Sequence, residues 1–321
     1  MAEPLLSIRD LSVDYVTERG PVRGLDRVSL DLAAGETLGL AGESGSGKST
    51  LAQALLRILP PPGVISGGEI RFEGRDLLRA DEAALRELRW TRISMVFQSA
   101  MDSLNPVVPV GEQIVDTLQA HRDISDRDAR SRAAELFDLV GIGGDRLTSY
   151  AHQLSGGMRQ RVGIALALAL EPSLVILDEP TTALDVIVER SILDRIRELQ
   201  RSLGFAVIFI SHDLGRMLQY SDRIAVLYAA QLVEIGPVAE VRDAPRHPYT
   251  QGLLGAFPSL RGGSEAPRSI AGAPPSLANP PAGCRFHPRC PLAEDVCRRE
   301  IPGATHVTDR HAAWCHLVAR R

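Results

Sequence analysis

The eight residues from Gly42 to Ser49 constrain the fold of this chain more than any other segment. Their sequence, Gly-Glu-Ser-Gly-Ser-Gly-Lys-Ser, fits the pattern G-x-x-x-x-G-K-[ST]. An apolar run at 37–41 precedes the segment, and helical character follows it until Pro60. A glycine-rich turn between a buried strand and a helix directs backbone N–H groups inward, and the helix start adds a positive end. The segment therefore predicts a phosphate-binding loop in an α/β fold; a glycine-rich turn without a ligand is the alternative.

The lysine content of the chain supports the same interpretation. Among 36 basic residues in a chain of 321, Lys48 is the one lysine. Arginine replaces lysine readily on a solvated surface, but a planar guanidinium is too wide for a phosphate loop that accepts an ammonium group. We predict that Lys48 binds the β- and γ-phosphates and that Ser49 gives Mg²⁺ a hydroxyl ligand. The predicted nucleotide contacts are Gly42, Glu43, Ser44, Gly45, Ser46, Gly47, Lys48, Ser49 and Thr50.

Two carboxylates follow the apolar run 174–177. At the end of a buried strand, Asp178 can orient Mg²⁺ through its water shell, and Glu179 can polarise an attacking water as general base. Such a strand ending is common on its own, but in a chain with a phosphate loop it is a stronger indication of a nucleotide site.

Three further positions are weaker signals when taken alone. Ser155, Gly156 and Gly157 at a helix start indicate either a second anion-binding nest or a plain capping loop. His212 follows the apolar run 206–210, where a lone histidine is more often structural than catalytic. Gln98 follows another apolar run and is unremarkable by itself.

The composition excludes several classes of protein. With 44% hydrophobic and 24% charged residues, the chain has an ordinary soluble globular composition, long enough for about two domains. A net charge of -4 and only 4% aromatic residues give no general attraction to nucleic acid or anionic lipid. The sequence has no apolar stretch of membrane-spanning length and no signal-peptide pattern at its N-terminus, so we expect a cytoplasmic protein.

The composition changes after about residue 245. Before that point strands and helices alternate, which is typical of an α/β domain. From 258 to 288 the chain is rich in Pro, Gly, Ser and Ala, and its last 61 residues carry nine arginines against five acidic groups. We predict a main domain at 1–245 and a C-terminal extension at 246–321.

All four cysteines lie in this extension, with the spacing C-x5-C-x6-C-x17-C. Disulfides are not expected in a cytoplasmic chain, whereas four thiolates suit either tetrahedral zinc or an iron–sulfur cluster. Their spacing does not decide between zinc, a cluster and no metal. At a zinc site one of three histidines could replace a cysteine: His287, His311 or His316.

Together these residues resemble the ATP-binding cassette (ABC) ATPase family over about residues 5–240. Gly42–Ser49 match its phosphate loop, Gln98 its Q-loop, Leu154–Gly157 its signature, and Leu177–Glu179 its strand motif with the catalytic glutamate. Thr182–Asp185 resemble the D-loop. Met158 departs from the glutamine common after the signature glycines.

This resemblance implies a P-loop (RecA-like) nucleotide-binding domain with antiparallel β and α-helical subdomains, the helical one at about 99–165. Two cassettes face each other, and each ATP lies between one phosphate loop and the opposing signature. Glu179 is then the general base and His212 the switch histidine. Gln98 ligates Mg²⁺ with Ser49 and Asp178 and links nucleotide state to membrane subunits. Tyr15 is placed for adenine stacking, an exposed strand tyrosine being the alternative.

Three segments narrow the resemblance to oligopeptide and dipeptide importers, in their D-type ATPase subunit. These segments are Val96–Pro106, His247–Leu254 and Gly283–Pro291. The narrower resemblance implies a [4Fe–4S] cluster held by Cys284, Cys290, Cys297 and Cys315, with zinc as the alternative.

The resemblance also implies partners and a location. The partners are a second ATPase subunit, expected to be a non-identical F-type paralogue, two membrane permeases and an extracytoplasmic solute-binding protein, and the chain would lie at the cytoplasmic face of the cell membrane. We expect di- or oligopeptides as cargo, with nickel chelates or another small solute as alternatives.

Two rival classes fit less well. Soluble ABC ATPases of DNA maintenance insert a long coiled coil where this chain has 55 residues between Gln98 and Leu154, and translation types carry two cassettes in one chain. A non-catalytic nucleotide-binding subunit would not need Asp178, Glu179 and His212.

Overall fold

The computed structural model describes residues 3–97, 104–182, 184–256 and 270–318. Contacts within the chain define two compact units. The first comprises Met1–Ala33, Thr37–Leu78 and Ile210–Arg321, and the second comprises Ala34–Glu36 and Arg79–Phe209.

The described residues form twelve strands and ten α-helices. The strands are β1 Leu6–Thr17, β2 Gly20–Leu32, β3 Thr37–Ala41, β4 Gly63–Phe72, β5 Arg75–Asp76, β6 Ile93–Val96, β7 Leu174–Asp178, β8 Ala206–Ile210, β9 Arg223–Tyr228, β10 Gln231–Pro237, β11 Ala304–Thr308 and β12 His311–Trp314. The helices are α1 Lys48–Leu55, α2 Glu82–Leu88, α3 Val110–His121, α4 Asp126–Leu139, α5 Gly156–Leu168, α6 Val186–Leu203, α7 Leu214–Tyr220, α8 Val238–Asp243, α9 Pro248–Gly255 and α10 Asp295–Arg299. Short 3₁₀ turns occur at Gly144–Arg146, Ala151–Gln153 and His287–Arg289.

An antiparallel sheet in the first unit has the strand order β2-β1-β4-β5. Leu6 of the central strand β1 lies opposite Leu32 on one side and Phe72 on the other. β1 bulges near Ser12, and therefore the inward positions shift from Leu6 and Ile8 to Leu11 and Val13, all fully buried.

The remaining strands of the first unit follow the order β11-β12-β10-β9-β3. β3 runs parallel to β9, with Leu38 opposite Arg223 and Ala41 opposite Val226. Every residue of β3 is buried, as expected for a parallel strand covered on both faces. This strand leads directly into the glycine-rich segment and α1.

The second unit contains β8, β7 and β6 in that order, with β6 parallel to β7. The helical periodicity at 112–140 corresponds to two helices, α3 and α4, because Ser125 caps the second by accepting from the N–H of Asp128. Asp185 caps the N-terminus of α6 by accepting from the N–H groups of Ile187 and Val188, and the left-handed Gly204 caps its C-terminus.

A buried carboxylate on β10 attaches the C-terminal strand pair β11–β12 within the first unit. Glu234 on β10 is fully buried and accepts from the backbone N–H groups of Arg246 (2.7 Å) and His247 (2.8 Å). His311 Nε2 lies 2.8 Å from Glu234, and its Nδ1 lies 3.3 Å from Glu240. Burial alone would raise the pKa of Glu234, but these hydrogen bonds lower it below its ordinary value.

Within the described part of the chain, no helix combines the length and the apolarity needed to cross a bilayer.

Candidate functional site

Three glycines of the phosphate loop adopt left-handed backbone conformations. The φ angles are 145° at Gly42, 76° at Gly45 and 107° at Gly47. A Cβ atom on Gly42 would overlap the Leu227 carbonyl oxygen, and one on Gly47 would lie 2.8 Å from the Gly24 carbonyl oxygen. The loop therefore requires glycine for its conformation and for close packing at two of these positions.

Lys48 begins α1 and lies inside the loop, with only 8% of its surface exposed. Its Nζ donates to the carbonyl oxygens of Gly42 (2.8 Å) and Glu43 (3.0 Å), and it lies 3.4 Å from Ser46 Oγ. Ser44, Gly45 and Ser49 are exposed at the open side of the loop. An ammonium group, a helix start and a glycine cradle are the groups that a polyphosphate and its Mg²⁺ require.

Tyr15 lies beside this loop in the first unit. Its hydroxyl shares a hydrogen bond of 3.1 Å with Thr50 Oγ1. Close packing confines the ring, because Cβ atoms on Gly24 and Gly63 would come within 2.7 and 3.0 Å of it. The half-buried Tyr15 is thus fixed next to α1, and its contact with adenine stays a prediction.

Two residues with no role assigned from the sequence contact the loop at Glu43. The Tyr249 hydroxyl accepts from the Glu43 backbone N–H at 2.9 Å, and Arg289 donates to both carboxylate oxygens at 2.8 and 3.0 Å. Both residues occur in the segments that resemble importer ATPases, but their contact with Glu43 depends on the fold.

In the second unit, Asp178 ends the buried strand β7 and is itself 5% exposed. Glu179 follows with a positive φ of 49°, and its Oε2 accepts from Thr182 Oγ1 at 3.0 Å. The Thr182 N–H donates to the Glu179 carbonyl at 3.3 Å. This tight turn holds the carboxylate beyond the strand end.

The predicted signature also lies in the second unit, where it begins α5. Ser155 Oγ caps the helix by accepting from the Met158 N–H at 3.3 Å. Gly157 packs against α6, since a Cβ at this position would lie 2.5 Å from Val188 Cγ1. The segment has the geometry of a helix start, and its phosphate contact stays a prediction.

The structure describes His212 but not Gln98. The exposed His212 follows β8, between Ser211, whose Oγ accepts from the Asp213 N–H, and Asp213, which caps α7. Gln98 lies outside the described residues, as do parts of the Q-loop and D-loop segments.

The four cysteines lie in one region of the first unit. Cys297 and Cys315 are buried, Cys284 and Cys290 are half-buried, and the Cys284 N–H donates to the Cys297 carbonyl at 2.9 Å. Burial, with smaller contributions from the other three cysteines, raises the pKa of Cys284 to about 11. Burial also raises the pKa values of Cys290 and Cys315, so these three thiols favour their neutral form.

The thiols are not arranged as a metal centre. Among the residues that the structure describes, no group of three or more His, Cys, Asp or Glu side chains could hold a metal ion. The three histidines considered as zinc ligands bond elsewhere: His287 to the Cys284 carbonyl, His311 to Glu234 and His316 to the Glu300 carbonyl. The chemistry of four thiols suits a soft metal, but their present geometry does not.

The α/β fold, the glycine loop and its buried lysine define a P-loop nucleotide-binding domain. Residues 25–182 match the family model described as ABC transporter, and residues 233–297 match that described as oligopeptide/dipeptide transporter, C-terminal region.

The chain is 44% identical to the dipeptide transport ATP-binding protein DppD of Bacillus subtilis, over 99% of this chain and 96% of the relative. It is 46% identical to the oligopeptide transport ATP-binding protein OppD of the same organism, over 96% and 87%.

Solved cassettes share the fold. A dimeric post-hydrolysis state of the ATP-binding cassette MJ0796 bound to ADP and Pi superposes with a TM-score of 0.66 at 26% identity, over 73% of this chain and 98% of that one. For cbiO1 of Clostridium perfringens, the TM-score is 0.65 at 28% identity, over 75% of this chain and 91% of that one.

The protein belongs to the ABC transporter ATPases, in the group of oligopeptide and dipeptide transport ATP-binding subunits, and it is an ATPase of that class.

Proposed function

We propose that this chain hydrolyses ATP to power the import of di- or oligopeptides through a membrane ABC importer. Its relatives at 44–46% identity are named as dipeptide and oligopeptide transport ATP-binding proteins. The observation that carries the proposal is the union, in one chain, of a cassette sequence at 25–182 with a peptide-transporter C-terminal region at 233–297.

Each predicted site residue has a place in this reaction. The Gly42–Thr50 segment holds the phosphates, Tyr15 the adenine, and Ser49, Gln98 and Asp178 would hold Mg²⁺, which neutralises phosphate charge when bound. Glu179 takes a proton from the water that attacks the γ-phosphorus. The bond between the γ-phosphorus and the bridging oxygen breaks, and the products are ADP and inorganic phosphate. His212 helps to hold the γ-phosphate and the water. Ser155, Gly156 and Gly157 act on the ATP of the opposite subunit.

The proposed assembly follows from the family. A second ATPase subunit, of the non-identical F type, pairs with this chain on two permeases at the cytoplasmic membrane face, and an extracytoplasmic binding protein supplies the solute. Within the chain we propose a nucleotide-binding domain at 1–245, with a helical subdomain at about 99–165, and the C-terminal extension at 246–321.

Glu179→Gln tests the catalytic assignment. In the assembled complex with an inactive second site, the variant should bind MgATP like the parent but lose at least about a hundredfold in hydrolysis, because the proton acceptor is gone. Normal turnover by the variant would reject the role of Glu179.

Uptake of labelled dipeptide into vesicles that contain the complex tests the cargo. Uptake of a nickel chelate but no peptide would reject the assignment of peptides as the cargo.

We further infer that Cys284, Cys290, Cys297 and Cys315 together hold a [4Fe–4S] cluster, with zinc as the alternative occupant. The proposal is supported by four cysteines gathered in one region of the first unit and by the chemistry of four thiols, which suits a soft metal once the side chains converge on it. Anaerobic purification followed by metal and sulfide analysis tests it. Matching iron and sulfide with visible absorbance support the cluster; a colourless protein with one zinc supports the alternative, and a metal-free protein rejects both.

A further inference from the structure

The C-terminal extension contacts Glu43, the second residue of the phosphate loop, at both its backbone and its side chain. Tyr249 accepts from the Glu43 N–H at 2.9 Å, and the two terminal nitrogens of Arg289 donate to the two Glu43 carboxylate oxygens at 2.8 and 3.0 Å. A bidentate arginine–carboxylate pair fixes the relative orientation of both groups. Glu43 therefore has little freedom to move independently of the extension.

Arg289 is itself fixed before it reaches the loop. Its side chain is 6% exposed, and its Nε donates to the Ala271 carbonyl at 2.9 Å. The guanidinium lies over the Tyr228 ring, 5.8 Å from the ring centroid. The pairing with Glu43 raises the pKa of Arg289, so its charge is permanent.

An aromatic cluster forms the base for these contacts. The Tyr228 and Tyr249 rings are 4.5 Å apart between centroids, and Phe286 lies 5.2 Å from the first and 5.4 Å from the second. Phe286 occurs three residues before Arg289 in the chain. The cluster therefore packs the segment carrying Arg289 against the helix that carries Tyr249.

The position of Glu43 makes this contact relevant to nucleotide binding. A carboxylate in a loop that binds phosphates repels its ligand, and an unscreened charge of this kind weakens binding by about tenfold. Arg289 compensates that charge. In addition, Lys48 Nζ donates to the Glu43 carbonyl at 3.0 Å, so displacement of Glu43 also displaces an anchor of the phosphate-binding lysine.

We propose that the C-terminal extension positions the phosphate loop of its own cassette through Arg289, which neutralises Glu43 and thereby sets nucleotide affinity. Arg289 is a positioning residue that acts through Glu43 rather than on the reacting atoms. The inference rests on the proposed assignment of Gly42–Ser49 as the nucleotide loop. It goes further because it gives the extension a function within the cassette.

A double-mutant cycle tests the proposal on the full chain. Arg289→Ala should weaken MgATP binding and raise KM by about tenfold, with kcat changed less than about twofold. In a Glu43→Gln background, which has no loop carboxylate, the same Arg289→Ala change should weaken binding less than about twofold. Arg289→Lys, which keeps the charge but loses the bidentate geometry, should have an intermediate effect. Equal losses from Arg289→Ala in both backgrounds would mean a merely structural role and would overturn the proposal.

Arg285→Ala is the matched control. Arg285 lies on the same segment and has a similarly buried side chain. It pairs with Asp26 at 2.6 Å and with the Ala229 carbonyl rather than with a loop residue. This variant should lower stability while leaving MgATP affinity unchanged, and a loss of affinity equal to that of Arg289→Ala would also overturn the proposal. Lys48→Ala distinguishes failure of the loop assignment from failure of the role of Arg289. If Lys48→Ala binds MgATP normally, Gly42–Ser49 is not the nucleotide loop. If Lys48→Ala loses binding but Arg289→Ala does not, only the role of Arg289 is rejected.

Discussion

At the scale of single residues, the environment of Lys48 explains why the chain keeps one lysine there. The ammonium group lies within 3.4 Å of three oxygens, contributed by Gly42, Glu43 and Ser46. The carbonyl groups of Leu227 and Gly24 pack closely against the glycines of the same loop. A point charge with three donors satisfies such a ring of acceptors, whereas a guanidinium requires planar access.

Lys48→Arg should therefore impair the ATPase although it keeps the charge. We expect MgATP affinity to fall at least about tenfold, because the wider group must displace the loop carbonyls. Calorimetric titration with MgATP measures the effect, and Arg242→Lys, an exchange at an exposed arginine, is the control. Unchanged affinity and turnover in Lys48→Arg would refute the steric argument.

At the scale of elements, local signals predicted some bounds well and others poorly. β3 and β8 occur at the apolar runs 37–41 and 206–210, because such runs specify buried strands locally. The first half of β4, at 63–67, has no local signal in the sequence, since its residues are largely exposed and it is a strand through pairing with β1. α1 ends at Leu55 rather than near Leu59.

Packing of α5 against α6 provides a test at this scale. Gly157→Ala should lower the free energy of unfolding by about 1 to 3 kcal/mol, because the new methyl group would lie 2.5 Å from the stiff Val188 side chain. Urea denaturation measures this change. Val188→Ala in the same chain should restore much of the loss. Gly144→Ala, whose Cβ meets nothing within 4 Å, should be nearly neutral, and equal effects at both glycines would exclude the packing explanation.

At the scale of the whole molecule, the α/β fold class was predictable from the sequence and is confirmed, since strand, loop and helix patterns are local. The contact between Glu43 and Arg289 was not predictable, because it joins residues 246 positions apart through a shared aromatic cluster. The roles of Glu179, His212 and Gln98, and the metal at the four cysteines, stay predictions.

The pH dependence of stability tests the buried attachment of the extension. Burial lowers the pKa of His247 from 6.5 to about 4, although Glu234 favours its charged form. Between these values the unfolded chain binds a proton that the folded chain excludes, so stability decreases as the pH falls from about 6.5 to about 4.

His247→Asn should flatten this dependence. The variant keeps an acceptor for the Tyr249 N–H, which His247 Nδ1 now binds at 3.0 Å, but it has no titrating group. Urea denaturation between pH 5 and 6.5 should give a slope smaller by about 1 kcal/mol per pH unit than in the parent. Parallel slopes in the two proteins would show that His247 does not titrate as its burial requires.

The pairing of β10 with β12 also has a consequence for synthesis on the ribosome. Glu234 and its partner His311 are 77 positions apart. At elongation rates of about 5 to 20 residues per second, β10 therefore waits about 4 to 15 s for the strand that covers its free edge. Throughout that interval, the unpaired backbone N–H and C=O groups of β10 face the solvent, and so does the Glu234 carboxylate, which is buried in the folded protein. Pairing of β12 is thus a late step, and it removes the free edge of β10 as a site of aggregation.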